Sequence, residues 1–379
     1  MAKGEILQAR IERIAGGGAG IARREGKVCF VDFSAPGDLL SIRITEERRG
    51  WSKGELCEIL EPSPLRAEPP CPLYGRCGGC SLQHLSYDAQ LSAKAGLLRE
   101  TFARIGGGAA GEFCVRPSPP LGCRNRVQFH CLPSNRRKLG FKARHGSEII
   151  PLDCCPVADA AVNEALKSGE LVPPPEKDRF TVYARGDLLL SEGGKRRGVL
   201  PLLGKEMTID AGIFFQSNAA MLEALLEDLK TLAPEGGRAM ADIYCGAGTF
   251  AFFLGRPFAE IDLVEENKSA LALARENLQG EGRRFYALSG DAWAKGLTGK
   301  EAWSFMILDP PREGLSPGLR RYLAKKGQER LAYVSCDPAA AARDYGELAA
   351  AGYVLKKLYF YDFYPQTAHI ESLGYYVRK

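Results

Sequence analysis

The stretch Ala241-Asp242-Ile243-Tyr244-Cys245-Gly246-Ala247-Gly248-Thr249-Phe250-Ala251 reads as an apolar strand entering a glycine turn and then a helix. Gly246 and Gly248 allow a ligand to approach the backbone closely, and a carboxylate ending the next strand can accept hydrogen bonds from ribose hydroxyls. Glu265, which follows the run from Glu260 to Val264, stands at that place. The pattern serves an NAD enzyme and an S-adenosylmethionine (SAM) enzyme alike, so it indicates a fold class before it indicates a chemistry.

Working outward, the apolar runs Ala239 to Tyr244, Glu260 to Val264, Ser304 to Leu308 and Leu331 to Ser335 alternate with helical stretches such as Leu222 to Leu232 and Ser269 to Leu278. That rhythm predicts a parallel α/β sheet over residues 206–379. Ligands in such sheets bind at the carboxyl edge, and Ile307-Leu308-Asp309-Pro310-Pro311-Arg312 delivers a carboxylate there. Ser335-Cys336-Asp337-Pro338 places a thiol just before a helix, with Asp337 as N-cap and Pro338 as first helical residue. A helix dipole lowers a thiol pKa, so an enriched thiolate is expected at Cys336. Glu371, in Phe363-Tyr364-Pro365-Gln366-Thr367-Ala368-His369-Ile370-Glu371, is a candidate general base.

Residues 1–60 alternate short apolar runs with glycine and charge, which predicts a small β-barrel. Pro62, Pro64, Pro69, Pro70 and Pro72 then mark a linker into a β-rich central domain, residues 61–205, whose helix at 86–105 is free to pack on the catalytic domain. The chain has 12 cysteines, lacks the apolar core of a signal peptide, and has no run of about 18 apolar residues. A cytoplasmic protein without a membrane partner is expected, with thiols kept reduced. Cys71, Cys77 and Cys80 crowd one loop with Gly78-Gly79 between them, which fits a thiolate-held metal. A fourth ligand could come from Cys154 or Cys155, and a triplet with one remote cysteine favours a 4Fe-4S cluster over zinc.

The net charge of +5 is too small for a wholly basic RNA-coating protein. Between Leu121 and Ile150, however, Arg124, Arg126, Arg136, Arg137, Lys138, Lys142 and Arg144 face only Glu148, a local +6. Phe129, His130 and Phe141 interleave with them, so phosphate contacts beside stacking platforms are expected.

Together these motifs resemble the RNA uracil-5 methyltransferases that make 5-methyluridine, particularly the iron-sulfur branch acting on 23S ribosomal RNA. Residues 1–60 resemble that family's TRAM domain. Cys71 to His84 resembles its cluster motif, with Cys155 matching the fourth ligand better than Cys154. Gly122-Cys123-Arg124-Asn125-Arg126 resembles its central motif, whose second residue is usually aromatic. The resemblance implies a Rossmann-like SAM-dependent catalytic domain, with Gln216, Tyr244, Thr249, Glu265, Asp291 and Asp309 on cofactor-contacting positions. Thr249 departs from the usual Asn. It implies Cys336 as nucleophile, Glu371 as base, SAM and a 4Fe-4S cluster as cofactors, and a monomer whose RNA substrate is ribosomal rather than transfer RNA. The other readings are methylation of the transfer-RNA T-loop, an NAD-linked oxidoreductase, and a non-catalytic RNA-binding module.

Overall fold

Strand β1 (Ile6–Ile14) turns Leu7, Ala9 and Ile11 inward at every second position, the period of a half-buried strand. With β2 (Gly20–Arg24), β3 (Lys27–Val31), β4 (Leu39–Glu47) and β5 (Trp51–Glu61) it closes the expected small barrel, in the order β1-β2-β3-β5-β4 around Leu40, Ile42 and Ile44. In this computed structural model the described residues are 3–24, 26–107, 111–296, 303–326 and 328–379.

The proline-marked linker is packed rather than loose. Leu82 and Leu85 are buried with Ile14 and Ala35 of the barrel and Ala89 of the helix that follows. Arg66 grips the buried Asp38 carboxylate with two nitrogens, at 2.9 and 2.7 Å. Helix α1 (Tyr87–Ile105), capped by Ser86, then crosses the molecule, and β6 (Glu112–Arg116) follows it.

The central sheet has the order β11-β10-β7-β8-β9, made of β7 (Arg126–Leu132), β8 (Asn135–Lys142), β9 (Ile149–Pro151), β10 (Arg179–Arg185) and β11 (Leu188–Ser191), with α2 (Ala160–Ser168) packed on it. Phe129 lies fully inside this core, with Phe141 stacked on it at a centroid distance of 5.4 Å. The expected RNA-stacking role of Phe129 is therefore corrected: the alternating burial of β7 turns its ring inward.

The catalytic half begins with the hairpin β12 (Arg197–Leu202) and β13 (Lys205–Asp210), then α3 (Ala219–Leu232), β14 (Gly237–Ile243), α4 (Thr249–Leu254), β15 (Phe258–Val264), α5 (Lys268–Asn277), β16 (Arg283–Tyr286), α6 (Gly290–Gly296), β17 (Phe305–Leu308), α7 (Pro317–Lys326), β18 (Arg330–Ser335), α8 (Pro338–Ala350), β19 (Tyr353–Tyr361) and β20 (Glu371–Arg378). Its eight-stranded sheet has the order β16-β15-β14-β17-β18-β20-β19-β6 and buries one apolar cluster on each face. Residues from before the central sheet thus complete it: β6 pairs with β19 in parallel, and Phe102 of α1 packs on Tyr345 of α8. No helix among the described residues is long and apolar enough to cross a membrane.

Candidate active site

β14, β17 and β18 lie side by side in parallel, and β20 runs antiparallel next to β18. The turn after β14, Asp309 after β17 and Cys336 after β18 consequently meet at one sheet edge. The register that pairs Ser335 with Ser372 puts Cys336 and Glu371 at neighbouring strand ends. A cavity of about 660 Å³ opens there, within the range of small-molecule sites. Cys336 and Glu371 line it, as do six residues expected to touch a cofactor: Gln216, Tyr244, Gly246, Thr249, Glu265 and Asp309.

The other two expected cofactor residues do not line the cavity. Gly248 shapes the turn: its φ is +80°, and a Cβ there would lie 2.8 Å from Leu278. The Asp291 carboxylate accepts the Gly318 N–H at 2.6 Å and pairs with Lys295 at 2.6 Å, while its loop neighbours Leu288 and Ser289 face the cavity. Four residues that the motifs contained but that were given no role also line it, namely Phe214, Arg312, Tyr364 and His369. Phe214 is 61% exposed, with the Arg126 guanidinium 5.4 Å from its ring centroid. The contiguity of Arg312 with Asp309 and of His369 with Glu371 was the available signal in the sequence.

The floor is acidic. Glu265 accepts the Gly246 N–H at 3.0 Å and the Asn267 N–H at 2.7 Å, which fixes its carboxylate against the glycine turn. Buried Asp242 accepts the Ala251 N–H with one oxygen, and its other oxygen has no partner among the described residues. Burial pushes the Asp309 carboxyl up to about 7, with Asp242 and Glu265 adding to the rise. Burial and the Asp309 charge hold Glu371 well above the usual carboxylate range.

The expected thiolate enrichment at Cys336 is corrected by the same surroundings. Asp337 does cap α8, accepting the Ala340 N–H at 2.8 Å. Burial, Glu371 and Asp309 nevertheless push the thiol up to about 11, against a smaller lowering by Arg312. A cavity that raises the pKa of its own acids in this way favours a cationic ligand, whose charge would lower those of Asp309, Glu371 and Cys336 again.

The second cluster lies in the central domain. Cys155 bears electrostatically on Cys71, Cys77 and Cys80 alike, whereas Cys154 is exposed. Asn163 clamps Cys155 from both sides, accepting its N–H at 2.8 Å and donating to its carbonyl at 3.0 Å. Gly78 N–H bonds the Lys142 carbonyl at 2.9 Å, and the Gly79 N–H points at Cys77 Sγ from 3.4 Å. Among the described residues no group of three or more His, Cys, Asp or Glu side chains is arranged to hold one metal ion. Four half-buried thiols that feel one another do fit a larger, several-atom thiolate-ligated group, which separates its ligands more than a single ion does.

The seven cations of residues 121–150 divide. Arg137, Lys138 and Lys142 are exposed, and with Arg124 they form no ion pair among the described residues. Arg136 is tied to Asp178 and to the carbonyls of Pro174, Pro175 and Lys177. Arg144 is turned inward, 3.3 Å from Asp32 and 4.5 Å from the Phe33 ring centroid, where it fastens the barrel to the thiol loop. Arg126 is mostly buried, its Nε without a partner among the described residues.

A 23S rRNA (uracil(1939)-C(5))-methyltransferase of Pseudomonas putida is 32% identical to this chain, over 96% of the chain and 92% of the relative. The chain belongs to the RNA uracil-5 methyltransferase family. The family model for tRNA (uracil-5-)-methyltransferases matches residues 197–379, and that for the TRAM domain matches residues 2–57. An RNA methyltransferase of Treponema denticola with no assigned substrate is also 32% identical, over 93% of this chain and 94% of its own. In fold, the chain is similar to Pyrococcus abyssi tRNA (uracil-54, C5)-methyltransferase, solved with S-adenosyl-L-homocysteine. The TM-score is 0.75 at 24% identity, covering 98% of this chain and all of the other.

Proposed function

We propose that this chain methylates C5 of a uridine in RNA, with SAM as methyl donor and 23S ribosomal RNA as substrate. The observation that carries the reading is the meeting of Cys336, Glu371 and Asp309 in one cavity beside the glycine turn. An NAD enzyme would bring an anionic pyrophosphate to a floor of Glu265, Asp309 and Glu371, with Asp242 buried close by. SAM carries a sulfonium and an ammonium, charges of the sign this floor favours. Ribosomal RNA is preferred because two relatives, 32% and 31% identical, are named as 23S rRNA (uracil(1939)-C(5))-methyltransferases.

Gln216, Tyr244, Gly246, Thr249, Glu265 and Asp309 would hold SAM, which when bound supplies an electrophilic methyl group. Uracil C5 is too weak a nucleophile to accept that methyl unaided. Cys336 Sγ, as thiolate, forms a bond to C6, and C5 becomes an enolate carbon that takes the methyl. The Glu371 carboxylate then removes the proton remaining on C5, the S–C6 bond breaks, and the Cys336 thiolate leaves. The target base must first swing out of its stack to reach the cavity. Arg137, Lys138 and Lys142 would meet the phosphates nearby, with Arg124 closer to the site.

Cys71, Cys77, Cys80 and Cys155 would hold a 4Fe-4S cluster. Methyl transfer moves no net electrons, so its part here is structural. Iron and acid-labile sulfide in anaerobically purified protein are expected; one zinc without sulfide would overturn the assignment.

The function is tested by mapping 5-methyluridine in RNA from a deletion strain carrying either the wild-type chain or Cys336→Ala. Wild type should restore the mark and Cys336→Ala should not. RNA containing 5-fluorouridine should form a covalent complex with wild type only. A mark restored by Cys336→Ala would leave the chain a binding module.

A further inference from the structure

Tyr364 and His369 reach the cavity from the tight loop before β20, and that loop is fastened from outside the catalytic half. The Gln366 carbonyl accepts two N–H groups, from Ser81 at 2.9 Å and from Leu82 at 3.0 Å. Ser81 Oγ accepts the Ala368 N–H at 3.1 Å. From α1, Gln90 Oε1 accepts the Gln366 N–H at 3.0 Å, and Gln90 Nε2 donates to Gln366 Oε1 at 3.0 Å. One turn later, Lys94 donates to the Tyr364 carbonyl at 2.9 Å.

Two backbone features mark this junction as held under constraint. Gln366 sits at φ +66°, a conformation that a residue with a side chain keeps only where its surroundings impose it. Gly18 of the barrel, at φ +90°, abuts both partners: a Cβ there would lie 3.1 Å from Ser81 Oγ and 3.3 Å from Ala368 Cβ. Barrel, thiol loop and catalytic loop therefore touch at one point, three residues before Glu371.

We propose that the turn after Cys80 is a strut that positions the general base, with Ser81, Gln90 and Gln366 as positioning residues for removal of the C5 proton. The inference rests on the methyltransferase reading. Cys80 adjoins Ser81, Ser81 bonds the Gln366–Ala368 turn, and that turn runs through His369 and Ile370 into Glu371. The loop of Cys71, Cys77 and Cys80 thereby acquires a part in methyl transfer that requires no electron movement.

Addition of Cys336 and transfer of the methyl group do not need the base; proton removal does. Ser81→Ala and Gln90→Ala should therefore lower kcat on the order of 10²-fold, the scale of a small misplacement at a reacting centre, with KM for SAM unchanged. Both variants should accumulate a methyl-labelled, denaturation-resistant complex with ordinary uridine RNA. Trapping by 5-fluorouridine RNA should keep its wild-type rate, since that base has no C5 proton to lose. An unchanged kcat in both variants overturns the proposal. So does a fall in kcat matched by slower 5-fluorouridine trapping without the methylated complex, which would mark these hydrogen bonds as holding only the fold. If Gln90→Ala does not fold, Ser81→Ala decides alone. Failure of the wild-type chain to form 5-methyluridine would overturn the methyltransferase reading itself, and this inference with it, before any variant is assayed.

Discussion

The Lys94 ammonium lies 2.7 Å from the Asp362 carboxylate, with the two side chains only 3% and 0% exposed. Tyr87 donates to the other carboxylate oxygen at 2.9 Å, so α1 and the end of β19 are joined by a satisfied buried pair. Removing one partner leaves an uncompensated buried charge, which costs about 3–5 kcal/mol. Lys94→Met should lower the urea midpoint accordingly, and the double variant Lys94→Met with Asp362→Asn should recover much of the loss. A single variant as stable as wild type would show that the pair does not hold this junction.

Binding of a cation should expel protons from the cavity near neutral pH. Asp309 is pushed up to about 7 by burial and by Asp242 and Glu265, and Glu371 is raised by burial and Asp309. A sulfonium beside them lowers both values, so calorimetric titration with SAM near pH 7 should show heats that vary with the buffer's ionisation enthalpy. S-adenosylhomocysteine, whose sulfur is neutral, should release fewer protons. Heats independent of the buffer for both ligands would contradict the acidic-floor argument.

The same shift carries a stability signature of defined sign. The folded protein keeps the Asp309 proton until about 7, whereas an unfolded chain gives it up near the ordinary value of about 4. Between these limits the unfolded state binds fewer protons, so the contribution of Asp309 to stability falls as pH rises. Above that window the penalty is constant. Asp309→Asn should lack this fall, which unfolding midpoints measured across the window would reveal.

Salt dependence should separate the cations proposed to meet RNA from those engaged within the fold. Each of Arg137→Ala, Lys138→Ala and Lys142→Ala should reduce the slope of log K against log salt by about 0.7–0.9 for every phosphate left without its cation. Arg144→Ala should leave the slope unchanged and lower the melting temperature, because its guanidinium is spent on Asp32 and Phe33. A shallower slope for Arg144→Ala would return that residue to the RNA surface.

The sequence made the glycine turn and the strand-end residues Asp309 and Cys336 legible, because a strand, its terminal polar residue and the following cap are local features. What crossed between strands was not legible. The thiol pKa of Cys336 depends on Glu371 and Asp309, which arrive from other strands, while only the helix start was visible beside it. β6 joined the catalytic sheet through pairing with a strand far along the chain, for which five residues carry no local mark. The inward turn of Phe129 is legible in principle, since Val127, Phe129 and Cys131 alternate at period two; the surrounding positive charge masks that pattern.

The pairing of Glu112 with Lys357 also bears on the order in which the molecule is made. A ribosome releases the barrel and the central sheet early, while β6 waits with an unsatisfied edge that another chain could occupy. Its partner β19 emerges late, and β20, the last strand, inserts between β18 and β19 rather than at the margin. Glu371 is the first residue of that strand. During synthesis, closure of the sheet and arrival of Glu371 at the cavity are thus one event, so a nascent chain halted before β20 would lack both the proposed base and a closed sheet.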